Sequence, residues 1–158
     1  MVGVKLVNVT KRFGETEAIK SLSMKVADKE FVVVCGPPGA GKTTLLRVIA
    51  GLEKVDDGEV YLGDDLVNDV PPAERDVSMV FENLALYPTK TGFENIAFPL
   101  KSPKLKTPPD EVRKRVLEVA HMLAIEELLD RKPATLSGGE MQRVALAKGA
   151  EVIVVPGA

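Results

Sequence analysis

The stretch "EFVVVCGPPGAGKTT", residues 30–44, constrains this chain more than any other. Phe31 to Cys35 form a continuous apolar run, the pattern of a strand buried on both faces. Gly36, Pro37, Pro38, Gly39, Ala40 and Gly41 then break the run. "KTTLLRVIAG" (42–51) follows, with Leu45, Leu46, Ile49 and Ala50 at helical spacing and Gly51 placed to end the helix. Gly36, Gly41, Lys42 and Thr43 satisfy G-x-x-x-x-G-K-[ST] between a strand and a helix, which reads as a phosphate-binding turn. Glycines let backbone N–H groups curl around phosphate oxygens in conformations a side chain would forbid. The helix opening at Lys42 points the positive end of its dipole at the same charge. Lys42 is expected to reach the β- and γ-phosphates, and the Thr43 hydroxyl to ligate Mg²⁺. The plain alternative is a strand-to-helix turn carrying a solvated lysine. Cys35, just before the loop, reads as a small buried side chain closing the strand rather than a reactive thiol.

Bulk properties narrow the setting. A chain of 158 residues has room for one domain with a core, and a formal net charge of −2 makes no electrostatic case for nucleic acid or an anionic membrane as principal partner. The single cysteine excludes an internal disulfide and fits a reducing compartment. No apolar run approaches the roughly 20 residues of a membrane helix. The opening "MVGVKLVNVT" alternates like a strand and lacks the apolar core of a signal peptide. A soluble, cytoplasmic protein is expected.

Along the chain, residues 2–9 and "AIKSLSMKVA" (18–27) alternate apolar and polar around a turn-like "KRFGETE", predicting an antiparallel pair. "GEVYLGD" (58–64) reads as a further half-buried strand, "VPPAERD" (70–76) as a turn with one helical turn, and "VSMVF" (77–81) as a short strand. Residues 83–136 are rich in proline and then helical, with Thr107 as N-cap, Pro108 as first helical residue and Val112, Val116, Val119 and Leu123 on one apolar face. "IEELLD" predicts a second short helix. "LSGGEMQRVALAKGA" is a glycine pair opening a helix, with Ser137 as N-cap and Glu140 completing a capping box. "EVIVV" (151–155) predicts a last strand buried on both faces.

Four stretches together resemble the ATP-binding subunits of ATP-binding-cassette (ABC) transporters. They are "KRFGETEAIKSLSMKVADKEFVVVCGPPGAGKTTLLRVIAGLEKVDDGEV", "SMVFENLALYP", "LSGGE" and "EVIVV", in the family's order. "PPAERDVSMVF…ALYP…FENIAFPL" is similar above all to subunits of sugar and related solute importers. The resemblance implies an α/β fold of the P-loop NTPase type with an N-terminal antiparallel β-subdomain and a helical insert. One partial nucleotide-binding domain would span 1–158, divided as 1–82, 83–136 and 137–158. It implies that ATP and Mg²⁺ are bound, with Phe13 stacking on adenine and the whole loop from Gly36 to Thr44 holding the phosphates. Glu82 stands where the family places a glutamine and would join Thr43 at the metal. Ser137, Gly138, Gly139 and Glu140 would act in trans, covering the γ-phosphate held by a partner in a head-to-tail homodimer or by a complete ATPase subunit. The 83–100 region would dock on a membrane subunit, with Leu84, Leu86, Tyr87 and Phe93 either in that contact or packing within the insert. The assembled protein would sit at the inner face of the cell membrane. His121 lies off the apolar helix face and reads as a solvated side chain.

Three departures temper what the resemblance implies. Glu82 replaces an amide by a carboxylate. The segment between "ALA" and the last strand is about one helical turn short, which would shorten the signature helix by about 6 Å. At the positions taken directly after Val155, where the family carries a metal-binding aspartate and a water-polarising glutamate, stand Pro156 and Gly157. No catalytic residue is therefore identified, and hydrolysis is expected to be deficient. With the C-terminal part of the core sheet absent, the runs at 30–35 and 151–155 would each show an unpaired apolar edge. A non-catalytic regulatory module, or a non-functional fragment, is the alternative reading.

Overall fold

A computed structural model describes residues 2–81, 83–102 and 105–153, with side chains described as far as Ala150. The chain divides into two compact units, residues 1–77 and 78–158.

The first unit is a four-stranded antiparallel sheet carrying one helix. Strands β1 (Val4–Phe13) and β2 (Thr16–Val26) form the expected hairpin, longer than expected because Lys11 pairs with Ile19, Arg12 with Glu17 and Phe13 with Thr16. Only Gly14 and Glu15 reverse the chain. Strands β3 (Asp57–Leu62) and β4 (Asp65–Leu66) complete the order β2-β1-β3-β4. Alternation puts Val60 and Leu62 on one face with Leu6, an irregularity of β1 between Leu6 and Val9 brings Val9 into the same cluster, and Ile19 of β2 with Leu45 and Val48 of α1 (Lys42–Ile49) completes this core. Burial of each such side chain contributes about 1.5–3 kcal/mol. Val48, not Leu46, makes that contact, and Leu46 faces solvent.

Helix α1 ends as the sequence predicts. Gly51, at φ 77°, donates to the Val48 carbonyl, and Leu52 N–H donates to Arg47 O, the two bonds of a Schellman cap. Buried Arg75 secures the same end, its Nη1 donating to the Val48 and Ile49 carbonyls and its Nε to Val70 O.

The second unit is helical: α2 (Gly92–Ala97), α3 (Pro109–Met122) and α4 (Gly138–Ile153). Val112, Val116 and Val119 form the buried stripe of α3 and Leu123 packs beside them, as the periodicity predicts. The N-cap of α3 is Pro108, not Thr107, and makes no side-chain cap bond. "IEELLD" yields only a single 3₁₀ turn, Glu126–Leu128. Helix α2 opens with a capping box, Thr91 and Glu94 each accepting from the other's backbone N–H. Fully buried Asn95 accepts from Tyr87 N–H and donates to the carbonyls of Tyr87, Lys90 and Thr91, which satisfies the loop before the helix.

Three expected strands are not formed. Residues 30–35 join no ladder, and Phe31 is 90 % and Val33 67 % exposed. Residues 77–81 join none either. An apolar run states that a segment tolerates burial on both faces; it does not supply the neighbours that take up its N–H and C=O groups. The third expected strand begins inside a helix, because α4 runs through Ile153; Val154 to Ala158, with Pro156 and Gly157, lie outside the described residues. The 16 residues of α4 span about 24 Å. β-branched residues carry only a small helix penalty and prefer strands where a sheet accepts them.

Candidate functional site

The glycine-rich loop leans on β2. Gly41 is left-handed at φ 81°, and a Cβ there would sit 2.1 Å from the Ala18 carbonyl oxygen, so only glycine fits the close approach. Gly39 has φ 80° but no atom within 4 Å of a built Cβ. Ala40 N–H donates to Pro37 O at 3.2 Å and tightens the loop. The first helical bond, Leu45 N–H to Gly41 O at 2.8 Å, leaves the N–H groups of Lys42, Thr43 and Thr44 ahead of any intrahelical acceptor. The Lys42 ammonium folds back to the carbonyls of Gly36 (2.8 Å) and Pro37 (2.7 Å). Two of its three N–H donors are engaged there, and the third remains. No acidic residue occupies the first turn of α1, while Arg47 in its last turn complements the dipole. The turn therefore combines a cation, a helix N-terminus and free amides, the chemistry of an anion cradle.

A cavity of about 490 Å³ opens beside the loop, lined among others by Ala18, Met24, Val33, Cys35, Ala40 and Lys42. Cys35 is exposed, which corrects the expectation of a buried strand-closing thiol. Phe13 ends β1, 48 % exposed, with the Lys11 ammonium 5.1 Å from its ring centre.

In the second unit Ser137 and Glu140 form the expected capping box: Ser137 N–H donates to Glu140 Oε2 at 2.6 Å, and Glu140 N–H to Ser137 Oγ at 3.4 Å. The Ser137 backbone N–H first, and then the Ser137 side chain, hold the Glu140 carboxyl below its usual range, helped by Arg131 and Arg143. Its carboxylate is thus engaged within its own chain. Gly138 and Gly139 show the opposite: a Cβ at either meets nothing within 4 Å, and neither has a positive φ. Nothing in this chain requires glycine at these two places. They leave the start of α4 bare to whatever approaches from outside.

Glu82 lies outside the described residues. Among the described residues no cluster of three or more His, Cys, Asp and Glu side chains could hold a metal. The Thr43 side chain is exposed in the first turn of α1, and a hydroxyl there suits Mg²⁺, which takes few protein ligands and completes its shell with phosphate oxygens and water. His121 is exposed and pairs with Glu126 at 2.7 Å, as a solvated side chain should. Leu86 and Phe93 pack on the core of the helical unit, and the Tyr87 and Phe98 rings lie 4.4 Å apart. Sequence reading missed the roles of Arg75 and Asn95, two buried polar residues whose bonding to backbone carbonyls no hydropathy pattern reveals.

The family model for ABC transporters matches residues 19–151. The chain belongs to the ABC transporter family. Among curated members, it is 53 % identical over 154 residues to the trehalose/maltose import ATP-binding protein MalK of Thermococcus litoralis, a match covering 94 % of this chain and 41 % of that protein. It is 50 % identical over 149 residues to the sn-glycerol-3-phosphate import ATP-binding protein UgpC of Brucella abortus, covering 94 % and 42 %. The chain therefore spans about two fifths of the length of these relatives. Among solved structures, it is similar to the dimeric ATP-binding cassette MJ0796 in a post-hydrolysis state with ADP and Pi, at TM-score 0.81 and 37 % identity, covering 94 % of this chain and 69 % of that one. A nucleotide-free ABC transporter cassette matches at TM-score 0.79 and 27 % identity, covering 96 % and 66 %. The expected fold class is thereby met, although residues 30–35 and 77–81 are not paired as strands here.

Proposed function

We propose that this ABC-family chain is the nucleotide-binding portion of an import ATPase for a sugar or related solute, and that it binds Mg²⁺-ATP through residues 36–44. The observation that carries this reading is the loop at the head of α1: left-handed Gly41 against Ala18, Lys42 arched over the loop, and three amides without helical acceptors. The amides and the Lys42 ammonium hold the phosphates in place, and Phe13 offers an exposed ring face for the base. Mg²⁺ neutralises phosphate charge when bound, and Thr43, with Glu82, would hold it.

The bare Gly138–Gly139 turn supports engagement from outside, either by a second copy in a head-to-tail pair or by a complete ATPase subunit. In that arrangement the N–H groups at the start of α4 meet the γ-phosphate of the partner's nucleotide. Residues 83–100 would face a membrane subunit, placing the protein at the inner side of the cell membrane. Among the described residues no helix is long and apolar enough to cross a membrane.

Catalysis of phosphoryl transfer to water rests on positioning and charge stabilisation. With Pro156 and Gly157 at the positions taken directly after Val155, where the resemblance implies a metal-binding aspartate and a water-polarising glutamate, binding should exceed turnover. Mg²⁺-ATP should slow amide exchange at residues 39–44 in the wild type and leave Lys42→Ala unchanged. Equal exchange with and without nucleotide would remove the basis of the proposal. Phosphate release abolished by Lys42→Ala would overturn the expected hydrolysis deficiency. The same open glycine pair favours a second reading, a regulatory module completing one ATP site of a full-length subunit; co-purification with such a subunit distinguishes the two.

A further inference from the structure

Leu84 and Ala85 are consecutive non-glycine residues in left-handed conformation, at φ 58° and 44°. Such residues persist only where their surroundings hold them. The turn has two short local bonds, Leu84 N–H to Phe81 O at 2.9 Å and Ala85 N–H to Asn83 O at 2.7 Å. Its remaining tie comes from 63 residues further along the chain: the Lys148 ammonium, on α4, donates to the Ala85 carbonyl at 2.6 Å. The same ammonium lies 4.3 Å from the centre of the Tyr87 ring. Tyr87 is in turn fixed by Asn95, which holds both its N–H and its carbonyl. Partial burial lowers the pKa of Lys148, as expected for a cation that has exchanged water for a carbonyl and a ring face. Under the turn lies a hollow of about 220 Å³, lined by Met79, Phe81, Leu84, Pro99, Ala145 and Lys148.

These features make a latch over a hollow. One side chain holds a strained turn at its carbonyl, and the half-buried Leu84 stands at the edge of a mostly apolar hollow. A side chain entering the hollow would take its apolar lining out of water. Strain and cavity therefore favour the same movement, and the Lys148 bond opposes it. We propose that Lys148 is a positioning residue that latches residues 83–87 in their strained form, and that its release lets the turn relax and Leu84 enter the hollow. The latch is borne on the helix whose first turn is Ser137–Glu140, so a shift of α4 along its axis must either carry the turn with it or open the latch. This inference does not depend on nucleotide binding.

The test uses the whole chain, with amide exchange of residues 83–87 and the ¹³C resonance of the Met79 methyl as readouts. Lys148→Met keeps the apolar stem but has no donor; it should raise exchange in 83–87 at least tenfold and shift the Met79 methyl, leaving residues 112–120 of α3 unchanged. Lys148→Arg retains a donor and a cation for the ring, and should keep both readouts near wild type. Adding Leu84→Ala to Lys148→Met should keep the fast exchange while returning the Met79 signal towards its original position. Unchanged exchange in Lys148→Met would overturn the latch, as would Lys148→Arg behaving like Lys148→Met. Wild-type amides at 83–87 exchanging like an unstructured peptide would overturn it as well. Should Lys148→Met fail to fold, Lys148→Arg still decides: slow exchange supports the latch, fast exchange refutes it.

Discussion

Gly39 and Gly41 share nearly the same positive φ, 80° and 81°, yet their surroundings differ. An alanine at position 39 meets open space and bears only the left-handed penalty, about 1–2 kcal/mol. At position 41 the added carbon strikes the Ala18 carbonyl, a backbone atom that cannot rotate away. Gly41→Ala should therefore cost at least about 2 kcal/mol more in urea unfolding than Gly39→Ala, and should weaken nucleotide binding with it. Similar losses for both variants would mean that the loop does not lean on β2. Gly138→Ala should act in the opposite direction. With no clash and no positive φ, it should stabilise the chain by up to about 1 kcal/mol, since glycine is a poor helix former. If the open turn serves an incoming partner, that gain comes with weaker Mg²⁺-ATP-dependent association, measured by sedimentation. Stabilisation without loss of association would leave the glycine pair unexplained.

The two capping boxes govern how the helices respond to acid. Glu94 and Glu140 are both held below the usual glutamate range, first by the backbone N–H each accepts from and then by neighbouring positive charge. A carboxylate whose folded pKa is depressed contributes stability that is present above its ordinary pKa and lost as pH falls through the folded value. Glu140→Gln keeps a capping side chain but removes the titration, so stability measured from pH 7 downward should fall less steeply in the variant. Parallel curves would show that the box carries no charge dependence. The Ser137–Glu140 cap was legible in the sequence because a capping box is local, its two residues standing three positions apart; the Thr91–Glu94 cap, equally local, went unread. The Schellman end at Gly51 and the stripe of α3 were legible because they too are local. The runs at 30–35 and 77–81, and residues 151–153 of the last run, were misread because strand formation requires a partner that the run itself does not name. Glycine spacing made the loop readable, whereas the approach of Gly41 to Ala18 joins residues 23 positions apart and leaves no trace in any pattern.

Each of the two units carries its own apolar core, one built on the sheet with α1 and the other on α2, α3 and α4. Neither core includes Phe31–Val34, all of which are exposed. A fully apolar unpaired segment invites association through its free backbone groups. Val33→Lys should therefore leave the urea midpoint unchanged and reduce concentration-dependent self-association in light scattering. A large loss of stability would show instead that the segment is buried in solution. The central claim concerns the turn that follows this segment, and calorimetric titration of the chain with Mg²⁺-ATP, beside Lys42→Ala, tests it most directly. The account predicts saturable binding by the wild type, at least tenfold weaker in the variant. Heat that never saturates, or binding that Lys42→Ala leaves untouched, would contradict it.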